Sequence, residues 1–464
     1  MNLQDDPDAY GSAWAFEKFA VGQPVPRSED PVLVRGQGRY TDDLSLPGQA
    51  HAAMVRSTHA HGLVRAIDIE TARAMPGVLA VYTAADFAAA GYGALRCRSP
   101  LKNRDGSPMG NLDRPALASG KVRFVGDPLA CVIAETAAQA KDAAEAVTVE
   151  IDPLPAVVDA SAAARPAAPQ LAETAPGNLV LDYHFGDADK VAAAFARAAH
   201  VTRLSMRNSR LVPNPMEPRA ALASFDGATG RYTLRVPAQS AVGMQGQIAA
   251  LLNVAADKVR VVVGNVGGSF GLKAAAFPEY LCVLHAARVL GRPVKWTDER
   301  SSSFVSDTHG RDDERLVELA LDADGRFLAL RLTGHANMGG YVSFVGPLPS
   351  CVNAVKNVVG VYRTPLVEVA TKCMLTTTAP VAAYRGAGRP EGNYYMERLI
   401  DQAAREMGID RIEIRRRNHI KPKEMPYKTP SDNLYDSGDF PAVLKRVLEL
   451  AEYKDFGKRK RESK

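Results

Sequence analysis

No Cys-x-x-Cys pair occurs anywhere in these 464 residues. The five cysteines, Cys97, Cys131, Cys282, Cys351 and Cys373, are scattered and odd in number. That argues against zinc sites and against iron–sulfur clusters held by this chain. It fits a reducing, cytoplasmic setting better than a disulfide framework. No run approaches ~20 consecutive apolar residues, so no membrane-spanning helix is expected. The first ten residues are acidic and polar, unlike a signal peptide. A strong excess of one charge is also missing. The net charge of +5 is too mild to argue for nucleic acid as a partner. The basic end, K-D-F-G-K-R-K-R-E-S-K, reads as a solvated helix end.

What is present is an ordinary globular balance, 46% hydrophobic and 23% charged. The length suits two to four domains at ~100–200 residues each. Residues 1–30 lack periodicity and read as an extended arm. Residues 31–160 hold alternating, strand-like segments at 52–57, 63–69, 78–83 and 129–134. An Ala-rich amphipathic helix over 136–147 and a strand-like V-T-V-E-I-D follow. Residues 93–120 carry turn residues and read as a loop. A Pro/Ala stretch over 161–177 is expected as a linker, and a second α/β domain over 178–464. Its expected elements are a helix at 187–199, strands at 201–206 and 232–236, and a helix at 245–253. A hairpin over 315–338 turns at Asp324-Gly325.

Two glycine-rich stretches carry the chemistry. The first, V-R-V-V-V-G-N-V-G-G-S-F-G-L-K over 259–273, reads as strand, then glycine loop. A helix should start at Pro278 and stop at Gly291. Strand, glycine loop and helix present backbone donors to an anion. The dinucleotide fingerprint fails at Val266, and the phosphate-loop pattern fails at Leu272 and Ala274. G-x-S-x-G does match at 267–271, with Ser269 as a candidate nucleophile. The second stretch, A-Y-R-G-A-G-R-P-E over 383–391, puts Arg385 and Arg389 beside a helix expected to start at Pro390. That suits an anion, although the same arginines could simply pair with Glu391. Gln239, at the end of a strand, could present its amide to the same pocket.

With these residues in hand, the chain resembles the large, molybdenum-binding subunit of the xanthine dehydrogenase/aldehyde oxidase family. It is most like the aerobic-type carbon monoxide dehydrogenase large subunits. Five markers in order carry the likeness: residues 36–61, 120–130, 211–223, G-G-S-F-G-L-K and A-Y-R-G-A-G-R-P-E. The resemblance implies an α/β (α+β) fold, with a hammerhead-like domain over 31–160 and the first part of a molybdopterin-binding domain over 178–464. It implies a molybdenum hydroxylase whose cofactor is molybdenum-molybdopterin, in the cytosine dinucleotide form. The metal would be held through the pterin dithiolene and not by protein ligands. Carried over, Gln239 would hydrogen-bond the apical molybdenum oxygen. Gly267, Gly268, Phe270 and Gly271 would line the cofactor, with Arg385, Gly386 and Ala387 beside it. Electrons would pass to an iron–sulfur (2Fe-2S) small subunit and an FAD-binding medium subunit.

The departures matter. Gly386 stands where the copper-binding cysteine of true carbon monoxide dehydrogenases sits, and Ala274 where purine-oxidising members keep a glutamate. An aldehyde or an N-heteroaromatic substrate is therefore expected. The family's catalytic glutamate would lie beyond Lys464, so a C-terminal half is expected as a further partner and no catalytic residue is assigned here. Two other readings remain open. One is an inactive assembly fragment. The other is a serine hydrolase on Ser269, for which His285, His309, His335 and His419 are available, although Pro278 delays the helix that a nucleophile elbow needs at once.

Overall fold

The computed structural model describes residues 27–463. Most of the arm expected at 1–30 lies outside them. The alternating segments form strands close to where they were expected: Ala50–Arg56, Gly62–Asp68, Val78–Thr83 and Pro128–Ala134. The Ala-rich helix is Ala137–Glu145, capped by the Thr136 hydroxyl, which accepts from the Gln139 N–H at 3.2 Å. A side-chain cap of this kind contributes about 1 kcal/mol. The helix before the first glycine loop is longer than its expected span, running Ala241–Leu252. Ser240 caps it and so starts it a turn earlier.

Among the described residues, a seven-stranded sheet has the order Val259–Val262, Arg231–Arg235, Ala220–Asp226, Val294–Thr297, Ala50–Arg56, Pro128–Ala134, Val78–Thr83. One sheet thus takes strands from both sides of the 161–177 stretch. The joint is the parallel pairing of Ala50 with Val294 and His51 with Lys295. Residues within that stretch are packed down: Leu171 is fully buried, and buried Asn178 accepts the Leu171 N–H and donates to the Ala163 and Pro169 carbonyls. A five-stranded sheet holds Leu179–Phe185, Val367–Leu375, Phe327–Gly339, Asp313–Leu321 and His200–Asn208. Its central hairpin turns where expected. The Asp322 carboxylate caps the turn by accepting from the N–H groups of Asp324 and Arg326, and Gly325 supplies the left-handed residue.

Two helices tie the sheets to the loops that matter. Pro278–Leu290 buries Tyr280, Leu281, Val283 and Leu284 against Leu234, Ile133 and Trp296. It begins at Pro278 and ends at a left-handed Gly291, as the sequence predicts. Arg389–Glu406 packs Tyr395, Leu399, Ile400 and Ala403 against Leu319, Leu332 and Val369 of the second sheet. Truncating any of these buried leucines costs about 2–5 kcal/mol. The loops in front of both helices therefore rest on rigid supports.

Candidate functional site

The first glycine loop leaves strand Val259–Val262 and reaches a short 3-10 turn at Leu272–Ala274. Gly268, Phe270 and Gly271 all have positive φ, at 96°, 53° and 102°. For Phe270 that is a strained conformation of the kind found at ligand sites. A nearly buried carboxylate and a fully buried ammonium fix the loop. The Glu217 carboxylate accepts from the Gly267 N–H at 2.8 Å, and the Lys273 ammonium donates to both Glu217 Oε2 and Glu217 O at 2.8 Å. Lys273 is fully buried. Burial pulls its pKa below the ordinary lysine value, and its bond to Glu217 opposes that pull. A lysine that follows a glycine run suggests a ligand contact, yet here it is a latch.

Ser269 is engaged on both sides. Its hydroxyl donates to Gln239 Oε1 at 2.6 Å and accepts from the Lys273 N–H at 2.9 Å. The four histidines that could have served it are committed elsewhere. His285 meets Tyr92, His309 lies between Arg210 and the Phe304 carbonyl, His419 stacks on Tyr362, and His335 sits on the second sheet. The serine-hydrolase reading is therefore corrected: the Ser269 hydroxyl is committed to Gln239 Oε1 and the Lys273 N–H.

The second loop meets the first at its centre. The Arg385 N–H donates to the Phe270 carbonyl at 2.9 Å, and the Arg385 guanidinium lies 5.9 Å from the Phe270 ring centroid. A Cβ on Gly271 would sit 2.4 Å from the Ala383 carbonyl oxygen, so the crossing requires glycine there. Gln239, Phe270 and Arg385, far apart in sequence, are joined by this chain of contacts. Gly386, Ala387 and Gly388 then adopt three successive left-handed conformations, with φ of 86°, 40° and 95°. The helix begins at Arg389.

Glu391 pairs with neither arginine of the motif. It accepts from the Gly388 N–H at 2.8 Å and forms an ion pair with Arg311, 2.5 Å away. Arg311 also donates to the Arg385 carbonyl at 3.0 Å and stacks over Tyr384. Arg311 thus clamps the second loop, and sequence reasoning missed it. Its signal is conformational: Arg311 and Asp312 have φ of 66° and 74°, and side-chain patterns do not encode that.

The backbone donors divide sharply. The N–H groups of Gly267, Arg385, Ala387 and Gly388 are hydrogen-bonded within the protein. Among the described residues, no protein acceptor takes those of Gly268, Phe270, Gly271 or Gly386. Backbone donors left unpaired beside an exposed arginine make an anion cradle. No group of three or more His, Cys, Asp or Glu side chains among the described residues is arranged to hold a metal ion.

Comparison with known proteins decides the family. Residues 171–419 match the molybdopterin cofactor-binding domain, and residues 35–155 match the aldehyde oxidase and xanthine dehydrogenase a/b hammerhead domain. The chain belongs to the xanthine dehydrogenase/aldehyde oxidase family of molybdopterin-binding large subunits. It is 34% identical to the carbon monoxide dehydrogenase large chain of Hydrogenophaga pseudoflava over 92% of this chain and 53% of that one. It is 35% identical to the gamma subunit of the 6-hydroxypseudooxynicotine dehydrogenase complex of Paenarthrobacter nicotinovorans, over 94% of this chain and 55% of that one. Among solved structures, quinoline 2-oxidoreductase from Pseudomonas putida 86 superposes with a TM-score of 0.89 at 34% identity, covering 97% of this chain and 56% of that one. The chain spans about half the length of the curated relatives it matches. Both glycine loops fall inside the cofactor-binding match, whereas the strands Ala50–Arg56 and Pro128–Ala134, which extend the sheet of the first loop, fall inside the hammerhead match.

Proposed function

We propose that this chain forms the cofactor-holding part of a molybdenum hydroxylase that oxidises an aldehyde or an N-heteroaromatic compound with oxygen derived from water. The observation that carries this reading is the Arg385-to-Phe270 contact, which locks two glycine loops together with their unpaired N–H groups beside one guanidinium. The residues present fit a molybdopterin. Gly268, Phe270, Gly271 and Gly386 offer backbone donors, Arg385 offers a fixed positive charge to a phosphate, and Gln239 presents an amide held by Ser269. When bound, the cofactor supplies the oxygen-transfer and electron-accepting chemistry, with 2Fe-2S and FAD-binding partner subunits to carry the electrons away. We take the cofactor to be the cytosine dinucleotide form and the setting to be the cytoplasm. The buried sulfurs of Cys351 and Cys373, thiols 3.7 Å apart, suit a reducing compartment.

The second loop also bears on the substrate. Gly386 offers no thiolate, and copper(I) sites call for soft sulfur ligands. A Cβ at that position would lie 2.5 Å from Pro390 Cδ at a φ of 86°, so this loop does not simply accept a cysteine. Carbon monoxide oxidation through copper is therefore not the activity proposed.

The test is turnover by the purified, molybdenum-loaded protein with its co-purifying polypeptides. Quinoline, pyridine derivatives and aromatic aldehydes are supplied in 18O-labelled water. The label should appear in the product of at least one compound. Failure of every aldehyde and N-heteroaromatic compound to turn over would contradict the reading.

A further inference from the structure

A cavity of about 480 Å³ lies beside the first glycine loop. Its apolar walls include Tyr92, Leu95, Leu251, Phe277 and Phe344. No aspartate or glutamate lines it, whereas three arginines do: Arg96, Arg98 and Arg114. Arg96 is exposed and pairs with Asp113 at 2.8 Å. Arg114 is different, because it is only 6% exposed.

A second buried arginine shows what complete pairing looks like in this protein. Arg219, 0% exposed, donates to Asp307 at 2.5 Å, Glu279 at 2.7 Å, Asp298 at 3.2 Å and Ser306 at 2.8 Å. Arg114 has nothing comparable. Its Nε finds no hydrogen-bond partner among the described residues, and its ion pair with Asp127 is stretched to 4.0 Å. The other Asp127 oxygen is occupied by the Arg123 N–H and the Tyr341 hydroxyl. Phe124 and Tyr341 hold the guanidinium in place, with ring centroids 5.1 and 5.7 Å from Cζ. A buried cation with donors left over is costly unless an anion completes it. A carboxylate is the planar, bidentate partner that a guanidinium fits best.

We propose that this cavity binds an organic carboxylate, its charged end on Arg114 and its apolar body against Leu251, Phe277 and Phe344. That the carboxylate is a substrate of the molybdenum site rests on the function proposed above. The link is structural. Ala275 and Ala276 line the cavity and directly follow the turn that ends the first glycine loop. Gln247 bridges the two by donating to the Ala274 carbonyl at 3.1 Å and accepting from the Ala276 N–H at 2.9 Å. The cavity wall and the cofactor loop thus form one hydrogen-bonded unit, and a ligand in the cavity lies against the loop's own support.

The experiment is titration calorimetry of the full chain with benzoate and with benzamide, which has nearly the same shape and no charge. Benzoate should bind, and benzamide should bind about tenfold or more weakly, the loss expected for one charge-assisted contact. Arg114→Met should weaken benzoate by a similar factor, and Arg114→Lys by less. Because a change at buried Arg114 could disturb folding, Ala250→Phe is the second variant. Ala250 is an exposed helical position that lines the cavity, so its enlargement should block benzoate without lowering the melting temperature. Equal binding of benzoate and benzamide, no binding of benzoate, or undiminished benzoate affinity in Ala250→Phe would overturn the proposal. Molybdenum content of the same preparation separates the two readings. In protein purified with its co-purifying polypeptides from cells that make the cofactor, benzoate binding without molybdenum sinks the proposed function and leaves the cavity assignment standing. Molybdenum-loaded protein that ignores benzoate does the reverse.

Discussion

The two glycine loops reach the same place by different means. The first is held by buried side chains: Lys273 on Glu217, Glu217 on the Gly267 N–H, Ser269 on Gln239. The second is held by its own backbone, three consecutive left-handed residues clamped from outside by Arg311 and Glu391. Charge and hydrogen bonding should therefore be the weak point of the first loop. Added side-chain volume should be the weak point of the second, and of the first only at its tight glycines, among them Gly271 where it crosses the second. Both arrangements hold strained residues, Phe270 and Ala387, in conformations that an isolated chain would avoid.

The largest effect is expected where a buried charge loses its partner. Lys273→Met leaves the nearly buried Glu217 carboxylate without its cation and should cost about 3–5 kcal/mol, read by chemical denaturation. A loss below about 1 kcal/mol, the range of exposed ion pairs, would mean that the first loop does not depend on this latch.

Next comes volume in the second loop. Gly388 has a φ of 95°, and a Cβ there would lie 2.3 Å from the Pro349 carbonyl oxygen. Gly388→Ala should cost on the order of 1–3 kcal/mol from backbone strain alone, seen as a lowered melting temperature. The control is Gly264 of the first loop, which is not left-handed and whose added Cβ would meet only the Arg39 carbonyl at 3.0 Å. Gly264→Ala should cost less. Equal costs at the two positions would erase the proposed difference between the loops.

A smaller effect is expected at Ser269. Ser269→Ala removes two hydrogen bonds of a partly exposed hydroxyl and should cost about 0.5–1.5 kcal/mol. It should also release Gln239 and lower affinity for the cofactor. Fluorophosphonate labelling of the wild-type serine would contradict its assignment as a positioning residue.

Much of this was legible in the sequence. The strands at 52–57 and 78–83 showed themselves by alternation, and 129–134, buried along its whole length, by its apolar run between turn residues. The helix from Pro278 to Gly291 was framed by residues whose backbone preferences are local. Both glycine loops announced themselves by composition. Long-range contacts did not show. The parallel pairing of Ala50 with Val294 joins strands more than two hundred positions apart and leaves no local pattern. Neither the Arg311 clamp nor the Lys273 latch follows from residue type, since an arginine or a lysine beside a glycine loop suggests a ligand contact equally well. Only burial and distance separate a support from a contact. The same distinction divides fully paired Arg219 from Arg114, and it assigns the first to stability and the second to recognition.

The central claim is that the two loops together hold one molybdopterin, and metal content tests it most directly. Gln239 and Arg385 are both exposed, so Gln239→Ala and Arg385→Ala should each change stability by no more than about 0.5 kcal/mol. The measurement is molybdenum per chain, by mass spectrometry, in protein purified with its co-purifying polypeptides from cells that make the cofactor. The wild-type protein should carry close to one molybdenum per chain, and the double variant Gln239→Ala/Arg385→Ala should lose most of it at an unchanged melting temperature. A folded wild-type protein without molybdenum, or a double variant that retains its full complement, would contradict the account.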